Sequence, residues 1–455
     1  MRFSMFCRLT ALILLCSSMP AVSDSSSSTA SVLFENVRIF DGRSASLSEP
    51  SSVLVSGNTI DTISRSSIAV NRRADTLVID GEGRTLMPGL IDAHVHIMME
   101  SIPIRDGLAS DIGYVTLVAS QAAERMLMRG FTAVRDVGGA SFSLKRAIDE
   151  GLAIGPRIYP SGATISQTSG HGDYRFITDL PRTGSGPDSY LEHTGMTAIA
   201  DGADQVLVRT RENLMRGASQ IKLMAGGGVS SNYDPLDVTQ YTPDELKAAV
   251  QAARNWGTYV TVHAYTSDAV RQAVEAGVLC VEHGQLIDEK TAKLMAKKGV
   301  WWSLQPFLDD EDANPFPEGS ANRLKQLLVS AGTDRAYAMA IKHNIKTAWG
   351  TDTLFNAHMS KRQGHKLTKM TRWYSPAQVL TMATANNAEL LALSGPRNPY
   401  PGDLGVIKQG AYADLLLVDG DPLENIRLLE NPQQNLLVIM KNGRIFKNTL
   451  VSSTP

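Results

Sequence analysis

The sequence predicts an α/β protein: a (β/α)8 TIM barrel inserted in a small β-sandwich domain formed by both chain ends. Strand and helix patterns alternate between residues 87 and 396, and short β-rich runs stand before and after them. With 455 residues, the chain is long enough for a barrel and one smaller domain. We therefore expect a sandwich from 31–86 and 397–449 and a barrel from 87–396.

Residues 1–23 have the features of a secretory signal peptide. Two arginines give a positive start, and the apolar stretch 9–15 is too short to span a bilayer. Small residues at 21–23 suit a signal peptidase. We expect an exported protein, periplasmic or secreted, with no membrane span in the mature chain. Cys16 offers a lipid-anchor alternative, which the large residue before it disfavours.

Composition excludes some classes of function. The formal net charge is -2 and no basic run occurs, so we expect no nucleic-acid partner. Once the signal peptide is removed, Cys280 is the one remaining cysteine, so an intrachain disulfide cannot form. Stability must then come from core burial and from any bound metal.

The predicted elements follow in order along the chain. The leading β-rich runs are 32–34, 37–40, 52–55 and 76–79. The eight barrel strands are expected at 89–96, 132–138, 157–161, 220–224, 259–263, 279–283, 301–305 and 346–350. The helices are expected at 117–128, 142–149, 206–217, 242–256, 267–276, 288–298, 330–342 and 375–391. Strands return at 413–419 and 437–441.

Local signals support several of these boundaries. Gly130 is a typical helix C-cap. Thr242 and Glu245 form a capping box, with Pro243 at the first helical position. The region 163–205 is a long excursion from the barrel, and such loops often carry function.

Six side chains of metal-ligand type fall on predicted barrel strands. His94 and His96 close the first strand, and because side chains alternate along a strand, both imidazoles face the same side. The others are Lys222 in the fourth strand and His263, His283 and Asp352 at the ends of the fifth, sixth and eighth strands. Active sites of such barrels lie at the carboxyl ends of the strands. The His-x-His pair alone is equally consistent with a structural role, but burying the whole set unpaired would be costly.

Lys222 is unusual in such a set because an ammonium group repels metal ions. Its strand is largely apolar, and burial favours the neutral amine, which can add CO2 to become a carbamate. That anion has two oxygens and can bridge two metals. The alternatives are a lysine in a buried ion pair and a Schiff-base lysine, and the histidines argue against the second.

The motif at 89–96, Gly-Leu-Ile-Asp-Ala-His-Val-His, carries a family resemblance. It is followed in strand order by Lys222, His263, His283 and Asp352. This combination resembles the amidohydrolase superfamily, in particular its imidazolonepropionase and Xaa-Pro dipeptidase-like branch, which includes ochratoxin-hydrolysing amidohydrolases. The stretch 404–415 is similar to the segment that leads these chains back into the sandwich.

The resemblance implies two divalent metal ions, usually Zn2+. His94, His96 and Asp352 would bind one, His263 and His283 the other, and a CO2-derived carbamate on Lys222 would bridge them. Asp352 and Lys222 would thus be catalytic, with Asp352 delivering a proton to the leaving nitrogen.

The resemblance also implies substrate contacts and an assembly. His171, in the loop after the third strand, and Tyr233, after the fourth, look like substrate-binding residues, with Tyr233 placed to donate a hydrogen bond to the carbonyl oxygen. Relatives are often octamers, so a homo-oligomer is expected.

These features predict a metal-dependent hydrolase of amide bonds. The expected substrates are dipeptides or N-acyl amino acids with a free C-terminal carboxylate, cut as by a carboxypeptidase or prolidase, and ochratoxin A is a candidate. One alternative is a cyclic-amide hydrolase or deaminase of the same superfamily. Lys222 argues against single-metal deaminases, and the export signal argues against imidazolonepropionase activity. The other alternative is a non-catalytic metal-binding or solute-binding protein, for which a proton shuttle such as Asp352 has no use.

Overall fold

The structure is a computed structural model that describes residues 31–70, 76–181, 188–313 and 316–450. The predicted signal peptide at 1–23 and Cys16 lie outside the described residues. No helix within the described ranges is both long and apolar enough to cross a membrane.

Strands and helices alternate through the middle of the chain. The strands are β1 Ser31–Ile39, β2 Ser51–Ser56, β3 Thr59–Ser64, β4 Thr76–Asp80, β5 Thr85–Pro88, β6 Leu90–Val95, β7 Phe131–Asp136, β8 Arg157–Pro160, β9 Thr164–Ser166, β10 Thr197–Ile199, β11 Ile221–Met224, β12 Val260–Thr266, β13 Cys280–Leu286, β14 Trp301–Ser303, β15 Thr347–Ala348, β16 Leu415–Val418, β17 Leu436–Lys441 and β18 Arg444–Asn448. The α-helices are α1 Ile104–Ala109, α2 Ile112–Met128, α3 Phe142–Asp149, α4 Tyr190–Thr194, α5 Ala203–Met215, α6 Pro243–Asn255, α7 Ser267–Ala276, α8 Glu289–Lys298, α9 Ala321–Lys342, α10 Ala357–Ser360, α11 Gln363–Thr368, α12 Pro376–Thr381, α13 Asn387–Ala392 and α14 Pro432–Asn435.

The predicted barrel is confirmed. Its strands are β6, β7, β8 and β11 to β15, and the neighbours that pair do so in parallel. The amide of Ala93 donates to the carbonyl of Trp349 at 3.1 Å, which closes the last strand onto the first. The amide of Ser219 donates to Pro160 at 2.7 Å and links the third strand to the fourth. Parallel strands closed in this way bring all their carboxyl ends to one face.

Both chain ends contribute to the second β unit, as predicted. The first part of β1 pairs with β2 and β4, and its end pairs with β5. The late strand β16 joins β5 antiparallel, and β17 and β18 extend the same sheet. Apolar side chains from both ends, including Phe34, Val53, Leu415 and Val438, form one buried core. The sandwich therefore depends on contacts between residues that are more than 300 positions apart in the chain.

The helices pack through short apolar faces. In α7 the buried residues Ala269, Val270, Ala273 and Val274 lie one turn apart on one side. The predicted capping box opens α6, because the Thr242 amide donates to the Glu245 carboxylate at 2.7 Å.

Some predicted boundaries are wrong. Helix α9 begins at Ala321 rather than 330, because the hydroxyl of Ser320 accepts the Arg323 amide and caps it. The predicted helix 375–391 contains a π-helical segment at Met382–Asn386. Strands β12 and β13 continue to Thr266 and Leu286, beyond the predicted ends at 263 and 283.

Candidate active site

The end of β6 places two histidines beside Asp352. His94 lies in β6 and His96 directly after it, and both rings are buried. The amide of Asp352 donates to the His94 carbonyl at 2.8 Å, which holds the aspartate against this strand. Its Oδ1 lies 3.1 Å from His94 Nε2 and 3.4 Å from His96 Nε2. The ligand atoms of these three residues lie within 4.8 Å of one another, an arrangement compatible with a bound metal ion.

Strands β12 and β13 bring the other two predicted histidines to the same place. The ring centroids of His263 and His283 are 4.6 Å apart, and those of His283 and His94 are 5.0 Å apart. His283 has a φ of 73°, a left-handed conformation in the middle of a strand. Its Nδ1 lies 4.0 Å from Asp352 Oδ2. A non-glycine residue rarely adopts this backbone, and such outliers concentrate at functional sites.

Each of the four histidines has one ring nitrogen directed at an oxygen atom. The pairs are His94 Nδ1 with Glu282 Oε2 at 2.8 Å, His96 Nδ1 with Gly138 O at 3.1 Å, His263 Nε2 with Gly227 O at 3.1 Å, and His283 Nδ1 with Gln305 Oε1 at 2.7 Å. Because an oxygen acceptor retains the N–H on the nitrogen that it faces, the opposite nitrogen keeps its lone pair. Metal-binding histidines are oriented in this way.

The atoms of His94 and Asp352 that face each other fit a cation between them. His94 Nε2 is buried without a hydrogen-bond partner among the described residues, although Asp352 Oδ1 is only 3.1 Å away. Two acceptors this close need a proton or a metal ion between them. Burial lowers the pKa of the His94 imidazole, but the charges of Asp352 and Glu282 outweigh it and leave that pKa above its ordinary value. The site therefore attracts positive charge.

The remaining rings are held neutral. Burial lowers the pKa of His96, and it places the pKa of both His263 and His283 well below the ordinary value. Neighbouring positive charge adds to this effect for each of them. A neutral imidazole is the form that binds a metal ion, so these rings are prepared to act as ligands.

Lys222 lies in β11 with only 1% of its surface exposed, and it lines the same cavity as His263, His283 and Asp352. Burial lowers the pKa of its ammonium group, against the opposing effect of Glu282 and Asp352. A lowered pKa increases the neutral fraction, which is the form that reacts with CO2. The position is compatible with the expected bridge.

The two predicted substrate contacts have different positions. His171 is buried, lines the cavity, and stacks on His263 with ring centroids 4.0 Å apart. Tyr233 does not line the cavity, and its side chain is 39% exposed. Ser231, two residues earlier, faces inward instead and lies 2.7 Å from His171 Nδ1. The turn of the loop between these residues directs Tyr233 outward.

The family model that describes the amidohydrolase family matches residues 85–446. This chain belongs to the amidohydrolase family. It is an enzyme, a hydrolase that acts on C–N bonds.

Individual relatives of this amidohydrolase agree with the assignment. Ochratoxinase from Aspergillus niger is 31% identical over 374 residues, covering 80% of this chain and 75% of that protein. Imidazolonepropionase from Alkaliphilus metalliredigens is 22% identical and covers 89% of this chain and 92% of its own. The crystal structure of a prolidase complexed with N-methylphosphonate-L-proline superposes with a TM-score of 0.83 at 32% identity, covering 92% of this chain and all (100%) of that one.

Sequence reasoning missed a buried ion pair beneath the histidines of this amidohydrolase. Arg135 Nη2 donates to Glu282 Oε1 at 2.7 Å, and Arg135 Nε donates to the carbonyl of Ala93 at 2.6 Å. Both charged side chains have no exposed surface (0%). The available signal was a charged residue inside an otherwise apolar strand pattern, at Arg135 in β7 and at Glu282 in β13. The pair holds Glu282 Oε2 against His94 and thereby fixes the orientation of that ring.

The cavity above the histidines has an apolar wall. Phe307, Leu308, Phe316 and Val329 line it together with the partly buried Tyr174. The Phe307 ring stacks near His283, with ring centroids 5.9 Å apart. The wall therefore begins beside the histidine cluster, where an apolar part of a substrate can pack.

Proposed function

We propose that this amidohydrolase is a binuclear metal-dependent enzyme that cleaves the amide bond of dipeptides or N-acyl amino acids with a free C-terminal carboxylate. The observation that carries the proposal is the set of four buried histidines, each with one ring nitrogen directed at an oxygen acceptor, around Asp352 and Lys222. Asp352 could serve as a ligand in a storage or solute-binding site as well, but such a site has no need of a proton shuttle.

The donor set suits two ions. His94, His96 and Asp352 would hold one ion, His263 and His283 the other, and Lys222 as a carbamate would join them. Two divalent ions, such as Zn2+, supply Lewis-acid polarisation of a carbonyl and a lowered pKa for a bound water.

The chain's own residues then direct the proton transfer. In this mechanism Asp352 would accept the proton of the attacking water on a carboxylate oxygen and pass it to the leaving nitrogen. Burial raises the pKa of Asp352, but His94, His96 and His283 outweigh it and place that pKa well below its ordinary value. The carboxylate is thus ionised and ready to accept the proton. His171, stacked on His263 at the cavity wall, can hydrogen-bond the substrate.

The cavity supports substrates with an apolar part next to the scissile amide. The wall formed by Phe307, Leu308, Phe316 and Val329 can pack an aromatic or aliphatic side chain. An aryl-carbonyl phenylalanine such as ochratoxin A has this character. The named activities of the ochratoxinase and prolidase relatives point in the same direction.

Metal analysis and a substrate panel test the proposal. We expect about two divalent ions per chain and loss of activity with a chelator, restored by added Zn2+. Turnover should occur on dipeptides and N-acyl amino acids that differ at the C-terminal residue, and fastest for apolar residues. Two results would contradict the proposal. One is a purified protein without bound transition metal, and the other is an enzyme that deaminates or opens cyclic amides but does not cleave any substrate of the panel.

We also propose export and self-association. Cleavage after residue 23 would release the mature protein into the periplasm or medium, and N-terminal sequencing of the fractionated protein tests this. Light scattering of the purified mature chain tests for a homo-oligomer such as an octamer.

A further inference from the structure

Several cationic side chains line the cavity, and most have an acidic partner or an assigned role. Lys369 lies 2.8 Å from Asp310 and 2.9 Å from Asp312, so its charge is neutralised. Lys222 lies among the proposed metal ligands. Lys366 differs from both, because no carboxylate in the described part of the chain lies within ion-pair distance of its ammonium group. Its Nζ donates instead to the neutral hydroxyl of Thr353 at 2.7 Å.

The position of Lys366 is fixed relative to the proposed catalytic residues. It lies on α11, and Gln363 at the start of that helix donates to Asp92 Oδ2 at 2.9 Å. The same Asp92 carboxylate accepts the Thr351 hydroxyl at 2.8 Å and the His94 amide at 3.1 Å. The helix that carries the lysine is therefore tied to the two segments that carry the histidines and the aspartate.

The lysine lies on the side of the cavity where the leaving group is expected. Thr353, its hydrogen-bond partner, directly follows Asp352, the proposed proton donor to the leaving nitrogen. In an amino-acid leaving group, the carboxylate carbon is about 2.5 Å from that nitrogen, given standard backbone bond lengths and angles. A group that protonates the nitrogen and a group that binds the carboxylate must therefore be close neighbours.

We propose that Lys366 binds the free carboxylate of the substrate's C-terminal residue and so makes the enzyme selective for amides of amino acids. This inference rests on the proposed function and names the residue that selects its substrate class. An ammonium group that has no acidic partner among the described residues, in a cavity with an apolar wall, matches an anionic group attached to an apolar side chain. Binding exchanges the neutral Thr353 acceptor for a charged one, which gives a stronger hydrogen bond.

The test compares one acid with its neutral counterpart. N-Benzoyl-L-phenylalanine carries the carboxylate, and N-benzoyl-L-phenylalaninamide has the same shape without the charge. In Lys366→Met, kcat/KM for the acid should fall on the order of 100-fold, because one partner of a desolvated charge pair is lost. The amide should change by less than about threefold. Lys366→Arg keeps the charge and should retain most of the preference for the acid.

Lys369→Met is the matched control, since this lysine is on the same cavity wall but is already paired with Asp310 and Asp312. It should alter both substrates alike. Metal content and the thermal midpoint of each variant show whether the fold is retained, and the acid-to-amide ratio is a readout that general damage does not move.

The outcomes separate the two proposals. A wild-type enzyme that hydrolyses the amide as well as the acid would overturn the role of Lys366 and leave amide hydrolysis intact. A preference for the acid that survives in Lys366→Met would overturn that role alone. A wild-type enzyme that cleaves neither these compounds nor any dipeptide of the panel would overturn the proposed function and this inference together.

Discussion

Lys222 is the residue whose chemistry most depends on its surroundings. Without the carbamate, an amine among the proposed metal ligands cannot bridge two ions. We therefore expect Lys222→Ala to lose most bound metal and nearly all activity, with partial recovery on adding a short carboxylic acid that replaces the bridging oxygens. Elemental analysis and turnover with and without acetate measure both effects. Normal turnover by Lys222→Arg would contradict the bridge, because a guanidinium cannot form it.

In the proposed mechanism Asp352 combines a ligand role with proton transfer, and substitution can separate the two. Asp352→Asn keeps one liganding oxygen but cannot accept a proton, so metal content should fall modestly while kcat falls by about 10²–10⁴-fold. The loss should be smaller on anilides or activated esters, because a good leaving group needs less protonation. Equal losses on good and poor leaving groups, with metal retained, would remove Asp352 from this role.

Glu282 is a positioning residue, since it acts through His94 and does not face the cavity. Glu282→Gln leaves Arg135 buried without its carboxylate, and breaking such a pair costs roughly 3–5 kcal/mol of stability. It also loosens the His94 ring, so metal affinity should fall by about 10–100-fold. Chelator competition and thermal unfolding measure the two effects. Glu275→Gln, on the exposed face of α7, is the control and should change neither metal affinity nor stability. Unchanged metal affinity in Glu282→Gln would show that the ion pair has a purely structural role.

At the scale of elements, the segment after β11 shows how the backbone fixes the position of a side chain. A Cβ built on Gly228 would lie 1.9 Å from His171 Nδ1, an impossible overlap. Gly228→Ala should therefore displace His171 from its stack on His263 and lower kcat/KM as much as His171→Ala does. The double variant should be no worse than either single one, because both act on one contact. Additive losses would show that Gly228 acts elsewhere.

Several elements could be predicted closely and others could not, for identifiable reasons. The boundaries of α3 and α7 match the prediction because apolar spacing and the glycine that follows each helix, Gly151 or Gly277, are local signals. The start of α9 was missed although Ser320 is a typical N-cap residue and leucines follow it with helical spacing at 324, 327 and 328. The π-helical segment at Met382–Asn386 shares the apolar pattern of the helix around it, so that pattern does not mark it. The outward position of Tyr233 depends on a loop conformation that α9 holds, since Lys325 Nζ donates to the carbonyl of Ser231 at 3.0 Å.

For the whole molecule, Glu100 couples stability to pH. Burial raises the pKa of this carboxyl to about 7, although Arg129 lies 3.4 Å away and opposes the shift. In the unfolded chain Glu100 ionises near the ordinary value of 4.5, whereas in the folded chain it stays protonated up to about pH 7. Its contribution to the free energy of unfolding therefore falls as pH rises from 4.5 to about 7 and is constant above that. Its size is roughly 3 kcal/mol.

The variant Glu100→Gln isolates this contribution. Its free energy of unfolding, relative to the wild type, should rise between pH 4.5 and 7 and stay constant above that. Denaturant titrations of both proteins with excess metal measure the difference, because effects common to both cancel. A difference that does not depend on pH would show that Glu100 has an ordinary pKa.

The sequence by itself determined the alternation of strands and helices, and with it the barrel, the sandwich from both chain ends and the six residues proposed as metal ligands. These follow from periodicity and from residue type at strand ends, which are local properties. Only the tertiary structure decided which ring nitrogen of each histidine faces an oxygen, that Arg135 and Glu282 support His94, and that Lys366 reaches the cavity while Tyr233 does not. These depend on contacts between residues far apart in the chain, and a local pattern does not specify which distant residues will meet.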